Sequence, residues 1–473
     1  VLMSYGIGDD DPSTFMAGVN SYDLQPKAGK MAVSKGHGMI YVVGAAAPPG
    51  DLSEAAVDFS GVVIDLDPRE EWEQIYYEAW RGLRDFYWDE NMHGLNWETI
   101  RDQYATMLPR LATRNDLRDL IAELIGELST GHTYVWGGDQ KPGAPWRGTG
   151  LLGAEFIREG DAFKVDHIYR GGHPDRVRSP LDEPGVDIDE GSYILEVNLT
   201  PFSADLPFEA AFENMAGHEV MLTVVDSLGS EDTRHVVVRP NHSNFQLVYA
   251  DWVRKNREYV LEKTDGKIGY IHIPDMGGRG MVEFDTWFYP QLEKEGMIVD
   301  TRWNGGGFVS QLILARFQRS IISWDRMRYG TISTYPARVL NGPFVVLTNE
   351  NAGSDGDIFP AVVQLEGLAP VIGKRSWGGV VGIRGIKPFV DGGALTHPEF
   401  AWWDSKDGWG LEGHGVDPDI EVDNLPQDLA RGIDAQLDRG ILEVMKLHKQ
   451  NPPEKPDFGP TPDRSRKAYR NEK

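Results

Sequence analysis

The sequence predicts a multidomain α+β protein with a short N-terminal β segment, a helical bundle, a small β-rich domain and a larger α/β domain. Three observations support this prediction. The chain has 473 residues and is 40% hydrophobic, so it is too long for one ordinary domain and apolar enough to bury several cores. The spacing of apolar residues becomes helical at Pro68, and from about residue 260 strands, glycine-rich turns and helices alternate.

Residues 1–64 form the predicted β segment, where runs such as GMIYVVG and GVVIDLD alternate with Gly, Asp and Pro. Residues 65–140 form the predicted helical bundle, because Pro68 is a favourable first helical residue and apolar residues recur after it at helical spacing. The first of its three amphipathic stretches carries Trp72, Ile75, Tyr76, Ala79, Trp80 and Leu83.

Two further domains and a tail follow. Residues 141–242 contain short strands such as AFKVDHIY, GSYILEV and EVMLTVV, with a short helix around PFEAAFENM. Residues 243–450 repeat strand, turn and helix, which predicts a sheet covered on both faces. The last predicted helix carries Leu429, Ile433, Leu437 and Ile441, and residues 451–473 are predicted to be a mobile tail.

The composition excludes several classes of partner. A formal net charge of -26 disfavours nucleic acid and anionic membrane surfaces. Zero cysteines exclude disulfides and thiolate chemistry and suit a cytoplasmic protein. No apolar run approaches the roughly 20 residues needed to span a bilayer. We therefore expect neither nucleic acid nor a membrane as a partner.

Ser354, in the stretch NENAGSDGDIFP, is the first candidate for chemistry. It follows the strand PFVVLT and precedes an apolar helix, and Gly353 and Gly356 relax the turn, as in a nucleophile elbow. The same position suits an N-cap serine, whose hydroxyl would bond a free helix N–H group. The motif alone favours the N-cap, because Ala352 replaces the first glycine of the strict G-x-S-x-G pattern.

A nucleophilic serine needs a base. His132, in STGHTYV at the end of the bundle, is one candidate, although a single histidine is more often structural. The turn DTRWNGGGF lies between a buried strand and a helix, so its free N–H groups and that of Asp355 suit an oxyanion. A tight turn that merely needs glycine is the alternative interpretation.

These motifs together resemble the tricorn protease family, which is related to the carboxyl-terminal processing (tail-specific) proteases. The resemblance spans residues from about 1 to 450 and rests on STGHTYV, GLLGAEF, GSYILEVNLTPF, DTRWNGGG, NENAGSDGDIF and EGHGVDPDIEV. It implies the end of a propeller, a helical domain, a PDZ-like domain and a ClpP/crotonase-like α/β domain. The implied protein is a serine peptidase that cleaves unfolded peptides through an acyl-enzyme and uses no cofactor.

The resemblance also implies the catalytic roles. Ser354 is the nucleophile, His132 is the general base, and Glu412 orients the base through a bridging hydroxyl. Gly307 and Asp355 supply the N–H groups of the oxyanion hole.

Substrate and assembly follow from the same resemblance. Gly305 and Gly306 lie beside the substrate, and Asp325 in SWDRMRYG lines the pocket for the residue before the cut, which would favour Lys or Arg. An acidic surface loop is the alternative for Asp325. The family implies a homo-oligomer, with a hexamer as one form, and aminopeptidases as downstream partners.

Three departures from the family patterns matter. Gly379, in KRSWGGVVG, stands where tail-specific proteases have a lysine base, which favours His132 as the base. Gly131 replaces the serine that bridges histidine and glutamate in the tricorn pattern, so water, Ser129 or Thr130 would have to form the bridge. Only about 60 residues of β structure precede the helices, so we expect either a fragment of a longer protein or a chain without the propeller gate.

Three alternatives complete the analysis. His414 with Asp417 and Asp419 suits a turn better than a metal site, so no metal is expected. Without the bridge, catalysis could be lost and the protein would be a peptide-binding scaffold that uses its PDZ-like domain, although a structural spacer is the favoured interpretation of that domain. An acyl-CoA enzyme of the crotonase type is a more distant alternative.

Overall fold

A computed structural model describes residues 1–464 except 7, 9–10, 37, 64, 140–147, 172–177 and 203–206. The chain divides into two compact units, Val1–Glu71 and Trp72–Lys473. In the part of the chain that is described, none of the helices has the length and apolar character needed to cross a membrane.

The first unit contains two small antiparallel sheets. They are formed by β1 (Leu2–Ser4) with β2 (Ser13–Met16), and by the meander β3 (Val19–Gln25), β4 (Lys30–Lys35) and β5 (Met39–Gly44). Phe15, Met31 and Val33 are buried in its core.

One strand predicted for this unit is wrong. The described residues of GVVIDLD, 61–63 and 65–67, form no strand. Val62 and Val63 are 65% and 84% exposed, so this apolar run has no core to cover, and it pairs with no described strand.

The helical bundle comprises α1 (Pro68–Phe86), α2 (Trp97–Ala105) and α3 (Arg114–Gly126), and from Trp72 onward it belongs to the second unit. The side chain of Asn96 accepts a hydrogen bond from Thr99 N at the start of α2, and Thr113 and Asp116 form a capping box at the start of α3. The predicted apolar face of α1 is confirmed, because Ile75, Tyr76, Ala79, Trp80 and Leu83 are all buried.

A β-rich domain follows. Its strands are β7 (Ala154–Glu159), β8 (Ala162–Ile168), β9 (Tyr193–Val197), β10 (Thr200–Pro201), β11 (Val220–Val225) and β12 (Arg234–Val238), and the two-residue β6 (Val135–Trp136) precedes them. The antiparallel order is β12-β11-β9-β8-β7, with β10 on β9. The helix predicted around PFEAAFENM is a short 3-10 helix, Phe208–Phe212.

The α/β domain contains a five-stranded parallel sheet and two antiparallel hairpins. Its strands are β13 (Ile268–His272), β14 (Gly296–Asp300), β15 (Ser323–Asp325), β16 (Ser333–Tyr335), β17 (Phe344–Thr348), β18 (Val371–Gly373), β19 (Gly382–Pro388), β20 (Ala394–Phe400) and β21 (Ile420–Glu421). Its helices are α4 (Phe245–Lys263), α5 (Gly278–Phe288), α6 (Ser310–Phe317), α7 (Asp355–Leu365), α8 (Pro426–Leu429) and α9 (Ala435–Gln450).

The parallel sheet has the order β13-β14-β17-β18-β21. Every residue of β13, β14 and β17 is buried. One face packs against Phe284, Phe288 and Phe359, and the other against Val260 and Leu437, which confirms the predicted two-sided covering. Because parallel strands end at one edge, the turns after β14 and β17 lie side by side.

The last predicted helix is two helices. α8 ends at Leu429, and α9 begins after Asp434, whose carboxylate accepts hydrogen bonds from Leu437 N and from Arg302 Nη1. Gly432, at φ 76°, lies between them. The apolar spacing is continuous through this turn, so the spacing alone could not reveal the break.

The β19–β20 hairpin joins the helical bundle to the α/β domain. β20 pairs with β6, and Phe389 and Leu395 are buried in the core of the bundle. At the hairpin turn Arg114 Nε lies 2.5 Å from Asp391 Oδ2, and both side chains are buried.

Candidate active site

Ser354 occupies a sharp turn between β17 and α7. Its backbone has φ 59° and ψ -123°, and its hydroxyl makes no capping hydrogen bond. A non-glycine residue at positive φ is strained, and strained turns of this kind hold nucleophiles at the ends of buried strands. The turn is closely packed, because a Cβ at Gly306 would lie 2.5 Å from Ser354 Cβ. These observations favour the nucleophile interpretation over the N-cap interpretation.

His132 lies on the loop between α3 and β6, also at positive φ, 58°. Thr396 Oγ1 donates a hydrogen bond to the carbonyl oxygen of His132 at 2.6 Å and accepts one from Tyr134 N at 2.8 Å. Thr396 on β20 therefore fixes the histidine loop to the α/β domain. Sequence analysis missed Thr396, because nothing near it in the chain indicates this contact.

Ser354 and His132 line one cavity of about 550 Å³. Its walls are mainly apolar, and the neutral polar side chains Gln311 and Gln318 also line it. The apolar lining residues are Phe308, Leu314, Ile358, Val362, Val380, Ile383, Phe400 and Trp402. The candidate nucleophile and the candidate base thus face the same space.

Glu412 contacts backbone amides on both sides of the site. Its Oε1 accepts a hydrogen bond from Gly131 N at 2.7 Å, and its Oε2 accepts from Val380 N at 2.6 Å and Val381 N at 2.8 Å. Glu412 therefore holds the histidine loop and the 377–381 loop together directly through main-chain donors.

Thr130 does not form the predicted hydroxyl bridge between His132 and Glu412. Thr130 Oγ1 donates to Leu128 O at 2.9 Å and lies 2.5 Å from Tyr87 Oη, so its hydroxyl is engaged away from Glu412. His132 Nδ1 is buried and has no hydrogen-bond partner within the described part of the chain.

Burial lowers the pKa of His132 below its usual value, and the Glu412 carboxylate and the carbonyl of Val381 oppose this shift. A neutral imidazole at neutral pH is the form that accepts a proton from a serine.

The two proposed oxyanion donors are placed at the ends of β14 and β17. Met276 N donates to Gly306 O, and Met276 O accepts from Phe308 N, so the N–H of Gly307 is left out of this bridge. The N–H of Asp355 is the first of α7 and has no acceptor within the helix. Gly307 has to be glycine, because at φ 150° its Cβ would lie 1.9 Å from Met276 O.

Two buried carboxylates lie in the first turn of α7. Burial raises the pKa of Asp355, although Ser310 N and the Ser310 hydroxyl donate to it. Burial raises the pKa of Asp357 to about 6, and Asp357 accepts a hydrogen bond from Gly378 N at 2.8 Å. Asp357 thereby attaches the 377–381 loop to the nucleophile helix.

Two ion pairs of Arg302 hold the start of the turn that carries Gly307. Arg302 Nη2 lies 2.7 Å from Asp300 Oδ2, and Arg302 Nη1 lies 2.8 Å from Asp434 Oδ2. The side chains of Asp300 and Arg302 are fully buried. Sequence analysis missed this pair, although two opposite charges at the end of a buried strand, in DTR, are a signal for it.

The remaining predicted residues lie near or outside this cavity. Gly305 N donates to Pro274 O and Gly306 N donates to Asn304 Oδ1, so both amides are already engaged. Asp325 is exposed on β15 and is not among the residues that line the cavity.

His414, Asp417 and Asp419 are each engaged with protein groups. His414 Nε2 lies 2.9 Å from Asp417 Oδ2, Arg375 Nε lies 2.6 Å from Asp417 Oδ1, and Asp419 accepts from Val371 N. Within the described residues no group of three potential ligands is arranged to hold a metal ion.

Comparison with known proteins identifies three domains in chain order. They are described as the tricorn protease C1 domain (68–126), the tricorn protease PDZ domain (150–243) and peptidase family S41 (267–422).

Relatives agree with these domains. Tricorn protease homolog 1 of Streptomyces coelicolor is 40% identical over 407 residues, which are 85% of this chain and 37% of that protein. Tricorn protease of Thermoplasma acidophilum is 35% identical over 460 residues, which are 96% of this chain and 42% of that protein. A crystal structure of the tricorn protease superposes with a TM-score of 0.86 at 35% identity, covering 94% of this chain and 43% of that chain.

This chain thus spans less than half of the length of these relatives. The domains, their order and the fold all agree, and the chain belongs to the tricorn protease family, among the peptidases of family S41.

Proposed function

We propose that this chain is a serine peptidase that cleaves unfolded peptides through an acyl-enzyme. The observation that carries the proposal is the shared cavity, which is lined by a strained serine without a capping role and by a histidine from another part of the chain. The N–H group of Gly307 at the same cavity supports an oxyanion hole.

The mechanism follows from these groups. Neutral His132 takes the proton of the Ser354 hydroxyl while Ser354 Oγ attacks the peptide carbonyl carbon. The N–H groups of Gly307 and Asp355 stabilise the oxyanion. The protonated His132 then donates its proton to the leaving amine, and a water molecule activated by His132 hydrolyses the acyl-enzyme.

We assign Glu412 two tasks in this mechanism. Its carboxylate accepts hydrogen bonds from three main-chain amides, which fix the histidine loop against the 377–381 loop. Its negative charge stabilises the imidazolium form of His132, as the direction of its effect on the pKa of His132 indicates. Neither task requires the bridging hydroxyl that Gly131 lacks.

The proposed preference for Lys or Arg before the cut depends on Asp325 alone. A side chain that enters the cavity meets apolar walls along most of its length, which suit the aliphatic stem of Lys or Arg as well as Phe or Leu. The preference is therefore tested by the Asp325→Asn variant, which should lose the basic preference and retain cleavage after Phe or Leu. Unchanged preference in this variant would remove Asp325 from the proposal.

The central test is hydrolysis of fluorogenic peptides with Arg, Lys, Phe or Asp before the reporter. We expect turnover that is lost in Ser354→Ala and His132→Gln, and labelling of Ser354 by a fluorophosphonate. Ser310→Ala is the matched control for labelling. Ser310 lines the same cavity, but its hydroxyl donates a hydrogen bond to Asp355, so fluorophosphonate labelling should persist in this variant. Equal turnover in Ser354→Ala and in the parent chain would refute the assignment of the nucleophile.

A peptide-binding scaffold is the second candidate. The observation that favours it is His132 Nδ1, which is buried and has no hydrogen-bond partner among the described residues. Absence of turnover and of labelling in a folded sample that still binds peptides would establish this candidate.

We also propose the wider setting of the family for this chain. It comprises unfolded peptides as substrates, a homo-oligomer, aminopeptidases that act on the products, and the cytoplasm as the compartment. The absence of cysteine supports the last of these.

A further inference from the structure

Trp377 lies between the segments that carry the proposed catalytic groups. Its backbone N–H donates a hydrogen bond to the carbonyl oxygen of Ala352 at 2.9 Å, and Ala352 lies two residues before Ser354. Its indole ring lies edge-to-face with the His132 imidazole, with the ring centroids 5.4 Å apart and an interplanar angle of 81°. The side chain is 46% exposed, so packing into a core does not explain its position.

Three glycines form the seat of the indole. A Cβ at Gly353 would lie 2.7 Å from Trp377 Cε3, and a Cβ at Gly379 would lie 2.1 Å from Trp377 Cζ3. A Cβ at Gly131 would lie 3.7 Å from Trp377 Cη2, an ordinary contact distance, and 3.0 Å from Glu412 Oε1. Each glycine belongs to a different part of the site: Gly353 precedes the nucleophile, Gly131 precedes the base, and Gly379 precedes the two amides that bind Glu412.

We propose that Trp377 is a positioning residue that sets the geometry between Ser354 and His132, with its indole seated across Gly353, Gly379 and Gly131. This inference rests on the proposed peptidase function. The indole acts as a spacer between the nucleophile turn and the histidine loop, and a side chain on Gly353 or Gly379 would displace it.

The same contact explains the choice of base. Gly379 is the position that matches the lysine of the tail-specific proteases. Because a Cβ at this position overlaps the indole, a lysine cannot be accommodated while Trp377 keeps its place. A lysine base at residue 379 would therefore require the indole to move from its present position, which accords with His132 as the base.

Trp377 also shields the imidazole from water. The titratable groups that face His132 are Glu412, Tyr134, whose ring centroid lies 6.1 Å away, and Asp355 in the same cavity. Removal of the indole leaves these charges in place and admits solvent. The imidazole should then protonate at a higher pH than in the parent chain.

The first test compares Trp377→Ala and Trp377→Phe with Trp403→Ala, an exposed tryptophan that does not line the cavity. We expect kcat to fall by about 100-fold in Trp377→Ala and by less in Trp377→Phe, because a displacement of about 1 Å can have an effect of this size. KM should change little, and the acid limb of the pH profile of kcat should move to higher pH. A kcat within twofold of the parent chain, with the acid limb unmoved, would overturn the proposal.

The second test is a double-mutant cycle. Gly379→Ala should displace the indole and lower kcat in the parent chain, and it should have little further effect in the Trp377→Ala background. Additive effects of the two substitutions would contradict the proposed seat. Both variants are compared at equal folded fraction, measured by thermal unfolding.

A readout without catalysis separates this inference from the proposed function. The titration of the His132 imidazole, followed by NMR with labelled histidine and assigned with His132→Gln, should move to higher pH in Trp377→Ala. If the parent chain hydrolyses no peptide, this shift still supports the positioning role while the peptidase proposal fails. An unchanged titration overturns the positioning role whatever the activity.

Discussion

At the scale of single residues, this site depends on backbone positions that sequence spacing does not reveal. Ser354 and His132 both adopt positive φ, although neither is glycine. Strain of this kind persists only where surrounding contacts enforce it. For His132 the enforcing contacts are the hydroxyl of Thr396 and the anchoring of Gly131 by Glu412.

The titration of His132 gives a prediction for the parent chain. Because the base has to be neutral and burial lowers its pKa, activity should persist to a lower pH than for an unperturbed histidine. We expect the acid limb of kcat/KM for a fluorogenic peptide at a pH below 6.5. An acid limb above this value would show that the charge of Glu412 dominates over burial.

Thr396→Val tests the hydrogen bonds that hold the histidine loop. The substitution keeps the shape of the side chain and leaves His132 O and Tyr134 N without their shared partner. We expect a loss of about 1–3 kcal/mol in the free energy of unfolding and a lower kcat.

Thr348→Val is the control for this prediction. Its hydroxyl is buried without a partner within the described chain, so removing it should leave the free energy of unfolding unchanged or raise it. An equal loss of unfolding free energy in both variants would show that the hydrogen bonds of Thr396 do not stabilise the histidine loop.

At the scale of elements, the β19–β20 hairpin connects the site to the helical bundle. β20 carries Thr396 and pairs with β6, and the hairpin also contributes Phe389 to the core of the helical bundle. His397 on the same strand is 2% exposed and packs against α1, where a Cβ at Gly82 would lie 2.3 Å from its Nε2.

His397 should make the stability of this contact dependent on pH. Burial, assisted by Lys387, lowers its pKa to about 4. Between this value and the unfolded value of about 6.5 the unfolded state binds more protons, so the free energy of unfolding falls as the pH decreases through this window. The contribution is fully present above pH 6.5, and its loss amounts to at most about 3 kcal/mol.

His397→Gln should flatten this dependence. Chemical denaturation of the variant and of the parent chain between pH 4 and pH 7 is the measurement. Parallel curves for the two proteins would mean that His397 has no part in the pH dependence.

At the scale of the whole molecule, the site is assembled from distant parts of the chain. Thr396 and His132 are 264 residues apart in sequence, and Arg114 and Asp391 are 277 apart. The buried Arg114–Asp391 pair therefore links the bundle that delivers the base to the domain that delivers the nucleophile.

Arg114→Ala should weaken this connection. It leaves the buried carboxylate of Asp391 unpaired, which costs about 3–5 kcal/mol of unfolding free energy, and kcat should fall because the histidine loop loses its support. Arg118→Ala on the same helix is the control, because the Arg118–Asp119 pair is exposed and should contribute less than about 1 kcal/mol. Similar losses in both variants would refute the linking role.

The sequence by itself determined the order of the domains, the amphipathic faces of the helices and the continuous burial of the parallel strands. It also determined which residues could form a site, because helix, strand and turn preferences act between neighbours in the chain. Thus Ser354 and the turn DTRWNGGGF could each be placed between a buried strand and a helix from the sequence pattern, whereas the pairing of the two strands could not. The last helix, which breaks between Leu429 and Asp434, shows the limit of this reasoning.

Only the tertiary structure decided how the site is held together. Glu412 binds three amides where a hydroxyl bridge was expected, Thr396 fixes the histidine loop, and Trp377 fills a seat formed by three glycines. These contacts join residues that are far apart in the chain, and their geometry depends on the packing of whole elements. No local preference records such contacts, since each residue alone is compatible with many neighbours.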